Sequence, residues 1–150
     1  LEDGRDCAII AIGSMVYPSL KAAEKLAAEG ISATVVNARF VKPLDEELIS
    51  CLAQEKPFLV TVEEAALMGG FGSAVMELIE TLHLQGYKVL RIGVPDRLVP
   101  HGSPDLLHAK YGIDADGIYE KVKAFLHEHY AARPRTVRKD SLRVGRSSKT

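Results

Sequence analysis

Two adjacent glutamates, Glu63 and Glu64, directly follow the apolar run 58–62. Paired carboxylates at the end of a strand can act as acid and base or bind a metal ion. Adjacent residues of an extended chain point to opposite sides, however, so these two side chains should not share one site. We therefore expect one carboxylate to be exposed and the other to pair with an arginine or with a helix N-terminus.

A glycine-rich segment, Gly69–Ser73, comes shortly after the glutamates and opens a helical pattern. Free backbone N–H groups at a helix start can hold an anion, so Gly70, Phe71, Gly72 and Ser73 form a candidate anion-binding site. The segment lacks both the three-glycine spacing of a dinucleotide fingerprint and the Gly-Lys-Ser/Thr of a P-loop. Close packing of the helix start explains the glycines at least as well.

One histidine lies in a position where it could do chemistry. His101 is in a loop with Asp96 and Arg97, where it could carry a proton, contact a phosphate or cap an interface. The other four are predicted to be isolated surface residues or to face different directions on one helix, and they are His83, His108, His127 and His129. The sequence shows no Gly-x-Ser-x-Gly elbow and no metal-ligand spacing. A complete active site is therefore not visible.

The elements that position these residues alternate between strand and helix. Strand-like runs occupy residues 7–12, 31–38, 58–62 and 88–92, and helical patterns follow each of them. This alternation predicts right-handed crossovers and a three-layer α/β/α fold, with a mainly parallel sheet of about five strands. In such a sheet the functional loops lie beyond the carboxyl ends of the strands. The loops in question are residues 13–15, 39–43, 63–73 and 93–103.

The composition divides the 150 residues into a domain and a tail. The formal net charge is −1, but residues 133–150 hold seven basic residues and one acid, whereas residues 1–132 hold 12 basic and 19 acidic residues. We expect a domain at 1–132 and a flexible, disordered basic tail at 133–150. A nucleic-acid-binding arm is disfavoured because the tail has no interleaved aromatic residues. No apolar run approaches the roughly 18 residues that cross a bilayer.

Two further features concern the chain's context. Only two cysteines occur, Cys7 and Cys51, and no disulfide framework follows from them. They fit a reducing compartment such as a bacterial cytoplasm, and a plastid would fit equally. The chain begins at Leu1 with neither a methionine nor a signal-peptide pattern, so we expect it to be a piece of something longer.

Five segments, taken together in their order along the chain, resemble one enzyme family. They are Ile12–Val16, Val35–Asp45 with its Ala-Arg-Phe-Val-Lys-Pro-Leu-Asp, Thr61–Ser73 with its Glu-Glu and Gly-Gly-Phe-Gly-Ser, Gly93–Gly102 with its Pro-Asp-Arg and His-Gly, and Tyr111–Asp114. Over about residues 5–130 the chain resembles the 1-deoxy-D-xylulose-5-phosphate synthase family. The pattern is shared more loosely by transketolases and by 2-oxoacid dehydrogenase beta subunits. One departure is Ala65, where the family usually has asparagine.

The resemblance implies the third domain of a thiamine-diphosphate- and magnesium-dependent transferase. That family condenses pyruvate with glyceraldehyde 3-phosphate, with loss of carbon dioxide, at the start of isoprenoid and thiamine precursor synthesis. The motifs that hold the cofactor belong to the other two domains, so this chain alone is expected to bind no cofactor or metal and to be inactive. Its implied partners are those domains and a second copy in a homodimer, with no membrane and no nucleic acid.

In this interpretation four residues serve contacts between domains or subunits rather than catalysis. They are Arg39, Glu64, Arg97 and His101. Two alternatives stay open. One is a stand-alone α/β module that binds an anion at the Gly70–Ser73 helix start, and the other is the C-terminal domain of a 2-oxoacid dehydrogenase beta subunit.

Overall fold

Four parallel strands form a single sheet in the order β2–β1–β3–β4. The computed structural model describes residue 1 and residues 3–130 of the chain. The strands are β1 (Cys7–Ala11), β2 (Ala33–Asn37), β3 (Phe58–Ala66) and β4 (Lys88–Val94). Helices cover both faces of the sheet, as the alternating pattern predicted.

Five α-helices and one 3₁₀ turn connect the strands. They are the 3₁₀ turn Gly13–Met15, α1 (Val16–Ala28), α2 (Glu46–Glu55), α3 (Phe71–Thr81), α4 (Pro104–Tyr111) and α5 (Ala115–Tyr130). Local sequence fixes several of their ends. The Asp45 carboxylate accepts the Leu48 N–H at the start of α2, and Ser103 caps α4 with Pro104 in its first turn. Gly112 ends α4 in the left-handed conformation, at φ 60°.

Apolar side chains fill the space between the sheet and each helical layer. All five residues of β1 are buried, which is typical of a central strand in a parallel sheet. On one face Leu26 of α1 and Leu126 of α5 pack against the sheet, and on the other face Ile49 of α2 and Ile79 of α3 do so. The sheet is therefore held rigidly between two apolar layers, and its strand ends are fixed in position.

The structure differs from the sequence prediction in two respects. The described residues form four strands rather than about five, because the chain after β4 enters α4 and α5 without another β-branched run. Strand β3 extends past Val62, its predicted end, so that Glu63 and Glu64 belong to the strand itself. An irregularity in the β3–β4 register lies between Val62 and Ala66. The predicted tail, 133–150, lies outside the described residues.

A close contact between β3 and α3 gives a first prediction. A Cβ added at Gly72 would lie 2.6 Å from the Thr61 hydroxyl oxygen, which is buried and has no hydrogen-bond partner among the described residues. Gly72→Ala is therefore expected to lower the free energy of unfolding by about 1–3 kcal/mol, measured by urea unfolding.

Thr61→Ala in the same background removes the obstacle and should recover much of the lost stability. Gly102→Ala is the matched control, because its Cβ would meet only the Leu107 side chain, at 3.4 Å. A Gly72→Ala chain as stable as the wild type would contradict this account.

Candidate functional site

All four loops singled out in the sequence lie at one edge of the sheet. The strands are parallel, so their carboxyl ends meet at the same edge. The loop after β2 and the loop after β4 lie at opposite ends of this row, because those two strands are the outer ones. The 3₁₀ turn after β1 and the end of β3 lie between them.

Glu63 is the most deeply buried carboxylate at this edge. Glu63 is 1% exposed, and its two carboxylate oxygens accept hydrogen bonds from the backbone N–H groups of Phe71, at 2.6 Å, and Gly72, at 2.8 Å. A carboxylate at a helix N-terminus satisfies donors that have no partner within the helix and interacts favourably with the helix dipole. The start of α3 is thus capped by a side chain from β3. An external anion would have to displace Glu63 to reach these two N–H groups.

The loop between β3 and α3 is held by its own polar contacts. The Ser73 hydroxyl donates to the Leu67 carbonyl at 3.0 Å and accepts the Gly69 N–H at 3.1 Å. Arg91 of β4 donates to both the Leu67 carbonyl and the Ser73 hydroxyl, at 3.2 and 3.0 Å. No Cβ fits at Gly70, because the Glu63 carboxylate occupies that space. Gly70 therefore serves the close approach of Glu63, whereas Gly72 serves the close approach of Thr61 and Arg91.

Glu64 points the other way, as alternation along a strand requires. Its carboxylate accepts a hydrogen bond from the Ser14 hydroxyl and lies 2.8 Å from Nε2 of His108 on α4. These two hydrogen bonds, that from Ser14 first, lower the pKa of the Glu64 carboxyl below its ordinary value of 4.5. The expectation that one glutamate is exposed while the other pairs with a helix N-terminus is confirmed.

The order of these contacts decides what the cluster can do. In a hydrolase triad the histidine lies between the serine and the carboxylate and removes the serine proton. Here Glu64 lies between Ser14 and His108, and both bond to the carboxylate. The cluster therefore ties the end of β1 and helix α4 to β3 and does not activate a nucleophile.

Neither cysteine supplies a nucleophile instead. Burial raises the pKa of the Cys7 thiol to about 12, and the neighbouring Glu55 carboxylate raises the pKa of the Cys51 thiol. Both thiols are therefore protonated near neutral pH. In the part of the chain that the structure describes, no group of three His, Cys, Asp or Glu side chains could hold a metal ion. The backbone N–H groups at the start of α3 donate to Glu63, so this helix start does not fit a magnesium diphosphate group.

Two concavities flank the Glu64 cluster. One of about 330 Å³ is lined by Ser14, Glu64, Val41 and Phe71, among others. The second, of about 250 Å³, lies on the α4 side and is walled by Val94, Leu107 and His108. Both have mainly apolar walls with the Glu64 carboxylate at their common boundary.

The remaining predicted site residues do not join one cluster. Arg39 follows β2 with a positive φ of 59°, and its backbone N–H donates to the Asn37 side chain at 3.0 Å. Arg97 follows β4, where its guanidinium lies 5.4 Å from the centre of the Tyr111 ring. His101 is exposed in the same loop. All three lie at the edge that carries Glu64, but Arg39 is separated from the other two by the width of the sheet.

Sequence reasoning missed two members of the cluster. It identified the 13–15 turn as a functional loop but assigned Ser14 no role, and its prediction that His108 is isolated is wrong. The role of Ser14 could in principle be predicted from the sequence, since Ser14 follows β1, which neighbours β3. The role of His108 could not, because packing sets the path of α4 over the end of β3 and no local sequence signal marks it.

Exposed apolar side chains surround these polar groups. Seven large ones lie in the loops and helix starts that follow the strands, and we call them the edge surface: Tyr17, Phe40, Val41, Met68, Leu98, Val99 and Leu106. Leu98 is 99% exposed, Leu106 71%, Met68 70% and Phe40 63%. Large exposed apolar side chains concentrated at one edge of a sheet, among polar groups, favour a protein–protein interface.

Comparison with known proteins agrees with this architecture. The family described as "Transketolase, C-terminal domain" matches residues 1–118. The chain belongs to this family. Among curated proteins, this transketolase C-terminal domain is 55% identical over 126 residues to 1-deoxy-D-xylulose-5-phosphate synthase 1 of Geobacter metallireducens. It is 49% identical over 126 residues to the corresponding synthase of Halothermothrix orenii.

The matched part is short relative to these proteins. Each alignment includes 84% of this chain but spans only 20% of the relative's length. Among solved structures, a split-gene transketolase described as an inactive tetramer of four beta subunits superposes on this chain with a TM-score of 0.77 at 36% identity. The superposition covers 84% of this chain and 41% of that one. A transketolase from Pichia stipitis, at 21% identity and a TM-score of 0.62 over 87% of this chain and 18% of that one, shares the fold. Within residue 1 and residues 3–130, no helix has the length and apolar character to cross a membrane.

The cap on α3 gives a second prediction. Glu63→Gln is expected to lower the free energy of unfolding by about 1–3 kcal/mol, because one of two charge-assisted N–H bonds is lost inside the protein. Urea unfolding at neutral pH measures the effect. Glu64→Gln is the matched control and should cost less than about 1 kcal/mol, because that carboxylate is exposed. Equal losses in the two variants would contradict the assignment.

The lowered pKa of the Glu64 carboxyl gives a third prediction, on pH. Folding favours the ionised form, so the stabilisation is complete above the unfolded-state pKa and is lost as the pH falls through the folded-state pKa. The wild type should therefore exceed Glu64→Gln in unfolding free energy at about pH 6, by less than about 1 kcal/mol. The unfolding free energies of the wild type and of Glu64→Gln should converge at acidic pH. A difference that grows as the pH falls would contradict this sign.

Proposed function

We propose that this chain is the C-terminal domain of a thiamine-diphosphate-dependent transferase that condenses pyruvate with glyceraldehyde 3-phosphate to 1-deoxy-D-xylulose 5-phosphate, with loss of carbon dioxide. The identity of 55% to a synthase of that name carries the proposal. The bacterial relatives and the two unpaired cysteines favour a bacterial cytoplasm, with a plastid as the alternative.

Within that enzyme we propose a structural role for the domain. The edge where an α/β sheet usually binds its ligand has its helix N-terminus closed by Glu63, while large apolar side chains around it are exposed. Such an edge favours binding of another protein surface over binding of a small anion. Arg39, Glu64, Arg97 and His101 are then contact residues, and thiamine diphosphate and magnesium are held by the other domains.

The partners in this proposal are the preceding domains of the same enzyme and a second copy in a homodimer. The split-gene transketolase supports assembly of this kind, since that chain is described as forming an inactive tetramer of four beta subunits. By analogy, the present chain alone would be a folded but inactive part. Transferase function would then require the remaining four fifths of the relatives' length.

A chimera tests the proposed function. The matched 126 residues of the Geobacter metallireducens synthase are replaced by this chain's residues, and formation of 1-deoxy-D-xylulose 5-phosphate is measured. We expect activity within about tenfold of the parent, because interfaces tolerate volume-conserving changes. Deletion of the segment should abolish activity.

The contact residues are tested in the same chimera. Alanine at Arg39, Glu64, Arg97 and His101 together should reduce activity and loosen the dimer, while Glu77→Ala on α3 serves as the matched surface control. A quadruple variant with unchanged activity, stability and dimerisation would contradict the interface role. Micromolar binding of thiamine diphosphate or inorganic phosphate by the 150-residue chain, measured by calorimetry, would favour the stand-alone anion-binding module instead.

A further inference from the structure

We propose that the start of the basic C-terminal segment, residues 133–138, binds back onto its own domain in a groove at the amino-end edge of the sheet. The family match ends at residue 118, so this segment lies beyond the residues that match the family. The groove lies at the edge opposite the one that carries Glu64, so the inference goes beyond the proposed function and does not depend on it.

The groove has apolar walls and two carboxylates. It has a volume of about 160 Å³ and lies between helix α1, the start of β2 and the segment that precedes β1. We call it the amino-end groove, and its lining residues are Asp3, Ala23, Glu24, Ala27, Ser32 and Ala33. Alanine methyl groups suit the aliphatic stem of a long basic side chain, and carboxylates suit its charged head. The groove therefore fits an arginine.

Contacts of residues 3–6 hold this groove in shape. The Thr34 hydroxyl accepts the Gly4 N–H and donates to the Gly4 carbonyl, both at 2.9 Å. A Cβ added at Gly4 would lie 2.3 Å from the backbone of Ala33, so the segment lies directly against β2. Lys56 donates to the Gly4 carbonyl from the end of α2, at 2.7 Å. The groove is therefore formed before a side chain enters it.

Both carboxylates of the groove have capacity for a cation. Asp3 is exposed, and its carboxylate lies 3.5 Å from the Thr34 hydroxyl. The Glu24 side chain is 64% exposed and pairs with Lys21 at 3.0 Å, which is a surface ion pair within one helix and contributes little to stability. A carboxylate offers about four acceptor positions, so a guanidinium can bond to either one beside these neighbours.

The described part of the chain ends close to the groove. The hydroxyl of Tyr130, the last residue of α5, donates to one oxygen of the Asp6 carboxylate at 3.2 Å. The other oxygen accepts the N–H of Ser32, a residue that lines the groove, at 2.7 Å. Five residues of extended chain span roughly 17 Å, so the side chains of Arg133 and Arg135 can reach the groove from Tyr130.

Charge favours this occupant over an external one. Residues 133–150 hold seven basic residues and one acid, whereas residues 1–132 hold 12 basic and 19 acidic residues. An RNA or an anionic membrane would be repelled by the acidic domain. The segment is also tethered, which raises its effective concentration at the groove. Bound there, it fastens the end of α5 to α1 and neutralises part of the domain's negative charge.

A nitroxide label on the 150-residue chain tests where the segment binds. The label is attached to Val137→Cys in a Cys51→Ser background, since Cys7 is buried. We expect the amide signals of Ala23, Ala27 and Ala33 to be lost from the NMR spectrum and to return when the nitroxide is reduced. The signal of Glu77, on the opposite helical layer, should remain.

Blocking the groove distinguishes binding from mere proximity. Ala27→Leu fills the groove without changing the charge, so the signals of Ala23 and Ala33 should remain in that variant. Ala28→Leu is the matched control, because Ala28 is an exposed neighbour that does not line the groove, and the signals should still be lost. Far-UV circular dichroism checks the fold of both variants.

Charge removal at two places in the segment distinguishes a local contact from general attraction. Arginine-to-glutamine changes at Arg133, Arg135 and Arg138 should lower the melting temperature by about 2–4 °C at about 0.01 M ionic strength, and the effect should vanish at about 1 M. The matched control removes the same charge further along, by glutamine at Arg143, Arg146 and Lys149, and should lower the melting temperature by less than about 1 °C.

The proposed contact has clear contrary results. Signals of Ala23 and Ala33 that persist with the oxidised label, or losses that continue in Ala27→Leu, would overturn the groove as the binding place. Equal effects of the two triple variants would overturn a local contact. Persistent groove signals together with retention on phosphatidylserine vesicles or on a single-stranded oligonucleotide would assign the segment to an external anion instead. The activity of the chimera does not enter this test, so the two proposals fail separately.

Discussion

The carboxylate of Glu63, buried against the N-terminus of α3, is the interaction on which the rest of this edge depends. It holds two backbone N–H groups at 2.6 and 2.8 Å, and these donors would otherwise have no partner inside the protein. Gly70 leaves room for the approach of Glu63, and Ser73 and Arg91 fix the intervening loop. A helix start that could bind an external anion is thus satisfied from within, and the edge is left to serve as a surface.

Alternation along β3 places the side chains of the two neighbouring glutamates on opposite faces of the sheet, where they make different contacts. While Glu63 faces α3, Glu64 faces the opposite layer, where Ser14 and His108 bond to it and connect three elements. The exposed apolar side chains of the edge surface lie around this polar centre. Burial of those side chains against another protein surface would release water from them and would strengthen the polar contacts at the centre by lowering the local dielectric. The physical character of the edge therefore agrees with a domain of the transketolase C-terminal family acting as a docking part.

Particular elements show how far sequence reasoning reached. The buried run of β1 and the alternation of strands with helices follow from local rules, and the structure confirms both. The divergence of Glu63 and Glu64 was also predictable, because alternation along an extended chain is a local property. Among the described residues the sheet has one strand fewer than the expected five or so, because no β-branched run follows β4. The pairing of His108 with Glu64 was missed because it depends on how segments distant in sequence pack together.

The sequence by itself determined the α/β class, the edge at which functional groups lie and, through its motifs, the family. These follow from hydrophobic periodicity, from chain-local stereochemistry and from residue identity. Only the tertiary structure decided which groups at that edge are free to bind. Whether a helix N-terminus is open or capped, and whether a histidine stands alone, depends on side chains brought together across more than one element. The Gly70–Ser73 segment shows the difference: its pattern is that of an anion site, and its donors belong to Glu63.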